Sequence, residues 1–249
     1  HLTPDMKKLI FAAASVAALV AMSATLHSCG KASASGSADY AAFVDPMIGT
    51  GGHGHTFPGA IVPHGMIQPS PDTRIDGWDA CSGYYYADSL INGFSHTHVS
   101  GTGCADYGDL LIMPTVGNQV IDAQTDTIQN LPYASSFSHD NEVAEPGYYS
   151  VMLDRYGIKA EMTASKRVAL HRFTFPKTDK PGMIVDMDYS IQRQTNLDMA
   201  IEVVNDTTLR AWKLTEYWAF DQQAYFTMQF SRPFTHCLLY TSDAADDRI

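Results

Sequence analysis

The sequence predicts an all-β chain folded as an antiparallel β-sandwich, and three observations carry that expectation. Short apolar runs recur from residue 110 onward, with turn-forming residues between them. One of them, 158–164, alternates strictly. Ile158, Ala160, Met162 and Ala164 face one way and Lys159, Glu161 and Thr163 the other, as a half-buried strand requires. The third observation is that no long amphipathic helix breaks the series.

In chain order, the first element is not part of the fold. Met6-Lys7-Lys8 opens an uncharged apolar run from Leu9 to Leu26, and 6–28 reads as a secretory signal. His1 to Asp5 precede it as upstream read-through. Eighteen apolar residues reach the lower limit for spanning a bilayer, but Ala and Val dominate the run. Leu26-His27-Ser28-Cys29 has the setting of a bacterial lipobox, in which the signal is cut before Cys29 and that thiol is lipidated. The expectation is an exported lipoprotein of the outer membrane, periplasm or cell surface, touching the membrane through its lipid. Residues 29–40, small and polar, would be a flexible tether.

The folded domain is expected over 41–236. Its first part, 43–109, is rich in Gly, Pro, His and Tyr and reads as loops around short strands. Strands follow in "LLIMP" (110–114), "YYSVML" (148–153) and "IKAEMTAS" (158–165), the last two joined by Asp154-Arg155-Tyr156-Gly157 as a hairpin. "VALHRFTFP", "GMIVDMDY", "TTLRAWKLT" and "AYFTMQF" continue the series, with Phe173, Phe175, Phe226 and Phe230 assigned to the core. The tail "CLLYTSDAADDRI" (237–249) looks like a sequencing adapter translated in frame.

A net charge of −11 with no basic stripe argues against nucleic acid as a partner. Of four cysteines, Cys29 belongs to the lipobox and Cys237 to the tail, leaving Cys81 and Cys104. Outside the cytoplasm a bridge between them is chemically permitted. Its geometry cannot be read from sequence.

The chemistry concentrates in four segments: 44–59, 63–86, 93–109 and 145–151. "GTGGHGHTFPGAIVPHG" (49–65) alone holds three histidines and six glycines. His53-x-His55 and His96-x-His98 each resemble half a zinc site that Asp106 or Asp109 could complete. The spacing is loose, and such histidines also serve as hydrogen-bonding posts in loops. Metal ligands are therefore assigned to none of them. No Gly-Lys-Ser/Thr follows the glycines, so a phosphate loop is excluded, and Gly101 and Gly103 lack the strand-then-helix setting of a dinucleotide site. Sugar recognition fits better, since a pyranose takes an aromatic platform for its C–H face and fixed polar groups for its hydroxyls. "DTRIDGWDACSGYYY" offers Trp78 with Arg74, Asp76 and Asp79 beside it, and Gly77 and Gly83 allow close backbone approach.

These segments, in this order, closely resemble the N-terminal domain of glycoside hydrolase family 92, the exo-acting α-mannosidases, from about Phe43 to Phe234. The resemblance implies a galactose-mutarotase-like supersandwich as the N-terminal half of a two-domain enzyme. Its active site lies against an (α/α)₆ barrel that is missing here. It also implies calcium-assisted removal of terminal mannose from N-glycans or mannans with inversion, which needs an acid and a base roughly 6.5–9.5 Å apart. Family enzymes draw both carboxylates and most calcium contacts from the barrel, so no residue of this chain is named catalytic. Substrate binding is assigned to Trp78, as a wall for the leaving-group sugar, and then to Arg74, Asp76, His55 and His96. A free-standing carbohydrate-binding lipoprotein module and a metal-binding surface lipoprotein are the competing readings.

Overall fold

The computed structural model describes residues 39–119, 130–192 and 195–235. The expected signal, Cys29, most of the tether and the tail from residue 236 lie outside the described residues. The described residues form thirteen strands: β1 (Ser70–Asp72), β2 (Leu90–Ile91), β3 (Gly93–Ser95), β4 (Leu111–Val116), β5 (Ser135–Ser136), β6 (Val143–Glu145), β7 (Tyr148–Leu153), β8 (Ile158–Ala164), β9 (Ala169–Thr174), β10 (Pro181–Asp186), β11 (Thr195–Asn205), β12 (Thr208–Glu216) and β13 (Gln222–Gln229). Among the described residues there is no α-helix, only three short 3₁₀ turns.

Every pairing is antiparallel, in four sheets: β1-β3-β4-β10, β6-β7-β8-β9, β11-β12-β13 and the small pair β2-β5. The two four-stranded sheets share one core. Phe94, Leu111, Met113 and Ile184 from the first meet Tyr149, Val151, Leu153, Ile158, Ala160 and Met162 from the second. This is the sandwich that the alternating pattern anticipated. The expected hairpin is also present, with Leu153 opposite Ile158 and Gly157 in the left-handed region at φ 63°. Phe173 and Phe175 pack on the main core, Phe226 on a second one, and Phe230 meets Phe234 edge-on.

Two features departed from the pattern. β11 was not anticipated, because Asn196, Asp198, Glu202 and Asn205 break up its apolar residues in the sequence. It survives as an edge strand with register shifts near both ends, and its Met199 and Ile201 pack on the second core. Glu161 faces the polar side as expected but is only 7 % exposed. Arg172, Tyr148 and Lys159 cover it, and their hydrogen bonds hold its carboxyl down to about 2.

The third sheet is anchored by charge. Along the central strand β12, Leu209, Ala211, Lys213 and Thr215 point inward, so a lysine occupies a core position. Lys213 Nζ donates to the Tyr189 carbonyl at 2.6 Å and lies 3.6 Å from Asp109 Oδ1, both side chains fully buried. Burial depresses the ammonium's pKa, against the pull of Asp109, Asp186 and Asp188. Removing one partner would leave the other charge buried and unpaired. Lys213→Ala is therefore expected to cost roughly 3–5 kcal/mol of unfolding free energy. Arg210→Ala, which breaks only the exposed contact with Glu202, should cost under about 0.5 kcal/mol. Equilibrium denaturation of both variants measures the contrast.

Candidate functional site

The glycine- and histidine-rich loops converge around a buried pair. Asp72, ending β1, accepts from His98 Nε2 at 2.8 Å, and neither side chain is exposed. The opposite nitrogen, Nδ1, donates to the Gln68 carbonyl at 2.8 Å, and Ser95 Oγ lies 3.0 Å from Nε2. Phe57, from the 49–65 loop, packs its ring 4.8 Å from the His98 ring. Gly83 closes the arrangement, because a Cβ there would sit 2.1 Å from Asp72 Oδ1 and its φ is +93°.

Two residues separate Gly83 from the end of the Trp78–Ala80 turn, which follows Gly77. It presents an indole that is 55 % exposed although two imidazoles flank it. His55 meets it edge-on at 4.4 Å and His53 lies tilted at 5.0 Å. Asp79 accepts from His53 Nδ1 at 2.5 Å, which fixes that ring while leaving most of it in solvent. His55 sits at φ 55°, an uncommon conformation for a residue with a Cβ, and its carbonyl accepts from Gly101 at 2.6 Å. Its Nε2 is buried with no hydrogen-bond partner among the described residues. A side chain at Gly103 would stand 3.3 Å from His55 Nδ1 and 3.5 Å from Trp78 Nε1, so the Gly101–Gly103 loop closes the back of the cluster.

The Glycosyl hydrolase family 92 N-terminal domain matches residues 43–248, a span that reaches into the tail. The chain belongs to glycosyl hydrolase family 92. It is similar to the family GH92 α-mannosidase BT3965 from Bacteroides thetaiotaomicron, solved in complex with mannoimidazole. The two are 41 % identical at a TM-score of 0.72, over 78 % of this chain and 26 % of that one. It is also similar to the family GH92 inverting mannosidase BT2199 from Bacteroides thetaiotaomicron VPI-5482, at 29 % identity and a TM-score of 0.62, over 78 % of this chain and 25 % of that one. An uncharacterized secreted glycosidase from Arthroderma benhamiae is 33 % identical over 182 residues, 68 % of this chain and 22 % of the relative. The chain thus spans about a quarter of the length of these family 92 proteins.

Of the residues that the sequence singled out, the family 92 fold brings His55 and Trp78 into contact. Arg74 is near but committed. It grips Asp88 with Nε at 2.8 Å and Nη2 at 2.6 Å and stacks 4.5 Å above the Tyr85 ring, so it braces the approach to the Trp78 turn. Asp76 is half-buried in that same approach. His96 lies inside the protein, with Nδ1 donating to the Leu110 carbonyl at 2.7 Å and Nε2 3.0 Å from His171 Nε2. The two His-x-His pairs do not converge, and Asp106 and Asp109 clamp the third sheet through Ala219 and Gln222. Among the described residues no group of three or more His, Cys, Asp or Glu could hold a metal.

Sequence reasoning did not anticipate a second aromatic surface. Tyr86 stacks flat on His139 at 4.1 Å, beside an open depression of about 540 Å³ that Asp88, Phe137 and Asp140 also line. The buried carboxylate of Glu142 escaped notice as well, because nothing in its local sequence marks it. It accepts from the Tyr84 and Tyr149 hydroxyls and from His139, and with burial it pushes both phenols well above their usual range.

The His96–His171 contact fixes proton positions. A carbonyl only accepts, so His96 carries its proton on Nδ1, and its bare Nε2 accepts from His171 Nε2–H. Burial holds His96 down to about 4 and His171 well below its ordinary value. Unfolded histidine protonates near 6.5. The stability that rests on the neutral pair is therefore complete above that pH and is lost as pH falls toward 4, by about 3 kcal/mol from His96 alone. Denaturation midpoints between pH 7.5 and 4.5 should fall steeply, and less so in His171→Leu. A flat wild-type profile would exclude a neutral pair.

Proposed function

We propose that this chain is the sugar-facing β-sandwich part of an exported exo-α-mannosidase, with Trp78 as a wall against one face of the hexose. One observation carries the reading. A half-exposed indole stands between two imidazoles, and one of these keeps a buried nitrogen without a partner. An indole supplies the apolar platform that a pyranose C–H face requires, and an unmet ring nitrogen is the kind of group that a ligand hydroxyl completes. The mannosidases named above, one of them solved with mannoimidazole, favour mannose as the sugar, and BT2199 favours inversion.

Inversion needs two carboxyl groups roughly 6.5–9.5 Å apart with water between them. The carboxylates around Trp78 are occupied, Asp79 by His53 and Asp88 by Arg74 and Thr73. In our reading the acid and base belong to the part of the enzyme beyond this chain, in the (α/α)₆ barrel that the family resemblance implies. Most calcium contacts would lie there too, as the same resemblance implies. The chain's own residues wall the sugar, orient its hydroxyls and exclude water from one side. The secreted relative supports export, and the Leu-x-x-Cys29 signal supports a lipid anchor.

Two measurements test this. In the full-length enzyme, Trp78→Ala should lower kcat/KM on an α-linked mannobioside by an amount equivalent to about 1–3 kcal/mol, the scale of one lost stacking contact. Unchanged kinetics would remove Trp78 from the site. The 249-residue chain by itself should release no mannose. Turnover by the isolated chain would place the proton-transfer groups within it.

A further inference from the structure

We propose that Cys81 and Cys104 are the substrate of a disulfide donor, and that the resulting bridge locks the Trp78 turn to the Gly101–Gly103 loop. Both cysteines are thiols in this structure, Cys81 buried and Cys104 partly exposed. One contact joins their segments directly, that of Gly103 with Trp78, and two more place each segment against the same cluster. Cys81 closes the Trp78–Ala80 turn, with its N–H donating to the Trp78 carbonyl at 3.3 Å. Gly103, the neighbour of Cys104, abuts both Trp78 and His55. The Gly101 N–H donates to the His55 carbonyl, tying the same loop to the cluster from the other side. The electrostatics agree: burial raises the Cys81 thiol, Cys104 is the next largest influence on it, and the Gly103 backbone acts directly on its sulfur.

The step balances as thiol–disulfide exchange with an oxidised dithiol donor. The accessible Cys104, as thiolate, attacks a donor sulfur, breaking the donor's S–S bond and forming a mixed disulfide. That first attack releases the donor's other sulfur; Cys81, as thiolate, then attacks the Cys104 sulfur and expels the donor sulfur bound to it. Two electrons pass to the donor, and the two cysteine protons end on its two thiols. Oxidising compartments outside the cytoplasm hold such donors, so in the cell the bridge rests on the export proposed above. What the bridge would accomplish is local. The indole stands on a three-residue 3₁₀ turn and the loop behind it is glycine-rich, so a covalent tie would hold the Trp78–His55 geometry against loop motion.

The sequence makes the test clean. No Lys or Arg occurs between Arg74 and Arg155, so both cysteines fall in one tryptic peptide, apart from Cys29 and Cys237. The full-length enzyme is purified from the envelope without reductant, alkylated, denatured, alkylated again and digested. Peptide 75–155 is expected to take up no alkyl group before reduction and two after it. Two groups taken up without reduction, even after the folded enzyme is treated with oxidised glutathione, would overturn the proposal. A bridge that forms with glutathione in vitro but is absent from cells would support the juxtaposition and count against export instead. Cys104→Ser should lower the full-length enzyme's Tm by roughly 1–3 °C relative to its oxidised form and leave the reduced form's Tm unchanged. Equal Tm values for oxidised and reduced wild type would show that no stabilising bridge exists, whether or not the variant folds.

Discussion

The buried contact between Asp72 and His98 is the constraint on which the site depends. It joins the end of β1 to the segment after β3, and both Gly83 and the 49–65 loop pack against it. Gln68 and Ser95 satisfy the imidazole, Phe57 packs on it, and Gly83 leaves room for the carboxylate. Asn92 donates to the Asp72 carbonyl and Thr73 to the Gly83 carbonyl, so the backbone on both sides is held too. A fully buried ionisable pair is costly unless both members are satisfied. That requirement fixes the positions of four segments at once, and two residues separate the end of the Trp78 turn from the glycine that the pair demands.

A second buried contact sets the third sheet in place. Asp109 receives Thr97 Oγ1 and Gln222 Nε2 on one oxygen and faces Lys213 with the other. Asp106 accepts from the Ala219 backbone. Residues 106–109 therefore hold β12 and β13 to the loops that carry the histidines, although 113 positions separate the partners in both hydrogen bonds to the third sheet. Leu110, at φ 55°, turns its carbonyl onto His96, and the proton positions of the His96–His171 contact follow from that strained residue. Polar contacts of this kind orient an otherwise irregular region in which only short strands occur.

How legible the site was depended on whether a residue's role is local. Trp78 and His55 could be proposed because an aromatic between glycines and acids has a recognisable composition. His96 looked equivalent to His55 in sequence, each being half of a His-x-His pair. Both are buried, but the segment after β3 sets His96 against His171 of β9, whereas the 49–65 loop packs His55 against the Trp78 indole with its Nε2 unpartnered among the described residues. Arg74 looked like a ligand donor and is taken up by Asp88, fourteen positions away. No sequence pattern distinguishes a free guanidinium from a committed one, since the partner's distance in space is set by the fold.

The sequence by itself determined the antiparallel β class, because the alternation along 158–164 and the short apolar runs around it are properties of neighbours in the chain. It also determined which segment would carry the chemistry, since glycine, histidine and tryptophan crowd into a few loops whatever their final positions. Tertiary structure alone decided which histidines face solvent, which carboxylates are spent on internal pairs, and that the two central cysteines belong to segments in contact. These outcomes turn on burial and on partners far away in sequence, and a side chain's hydrogen bonds are shared out only once those partners have been brought within about 3 Å.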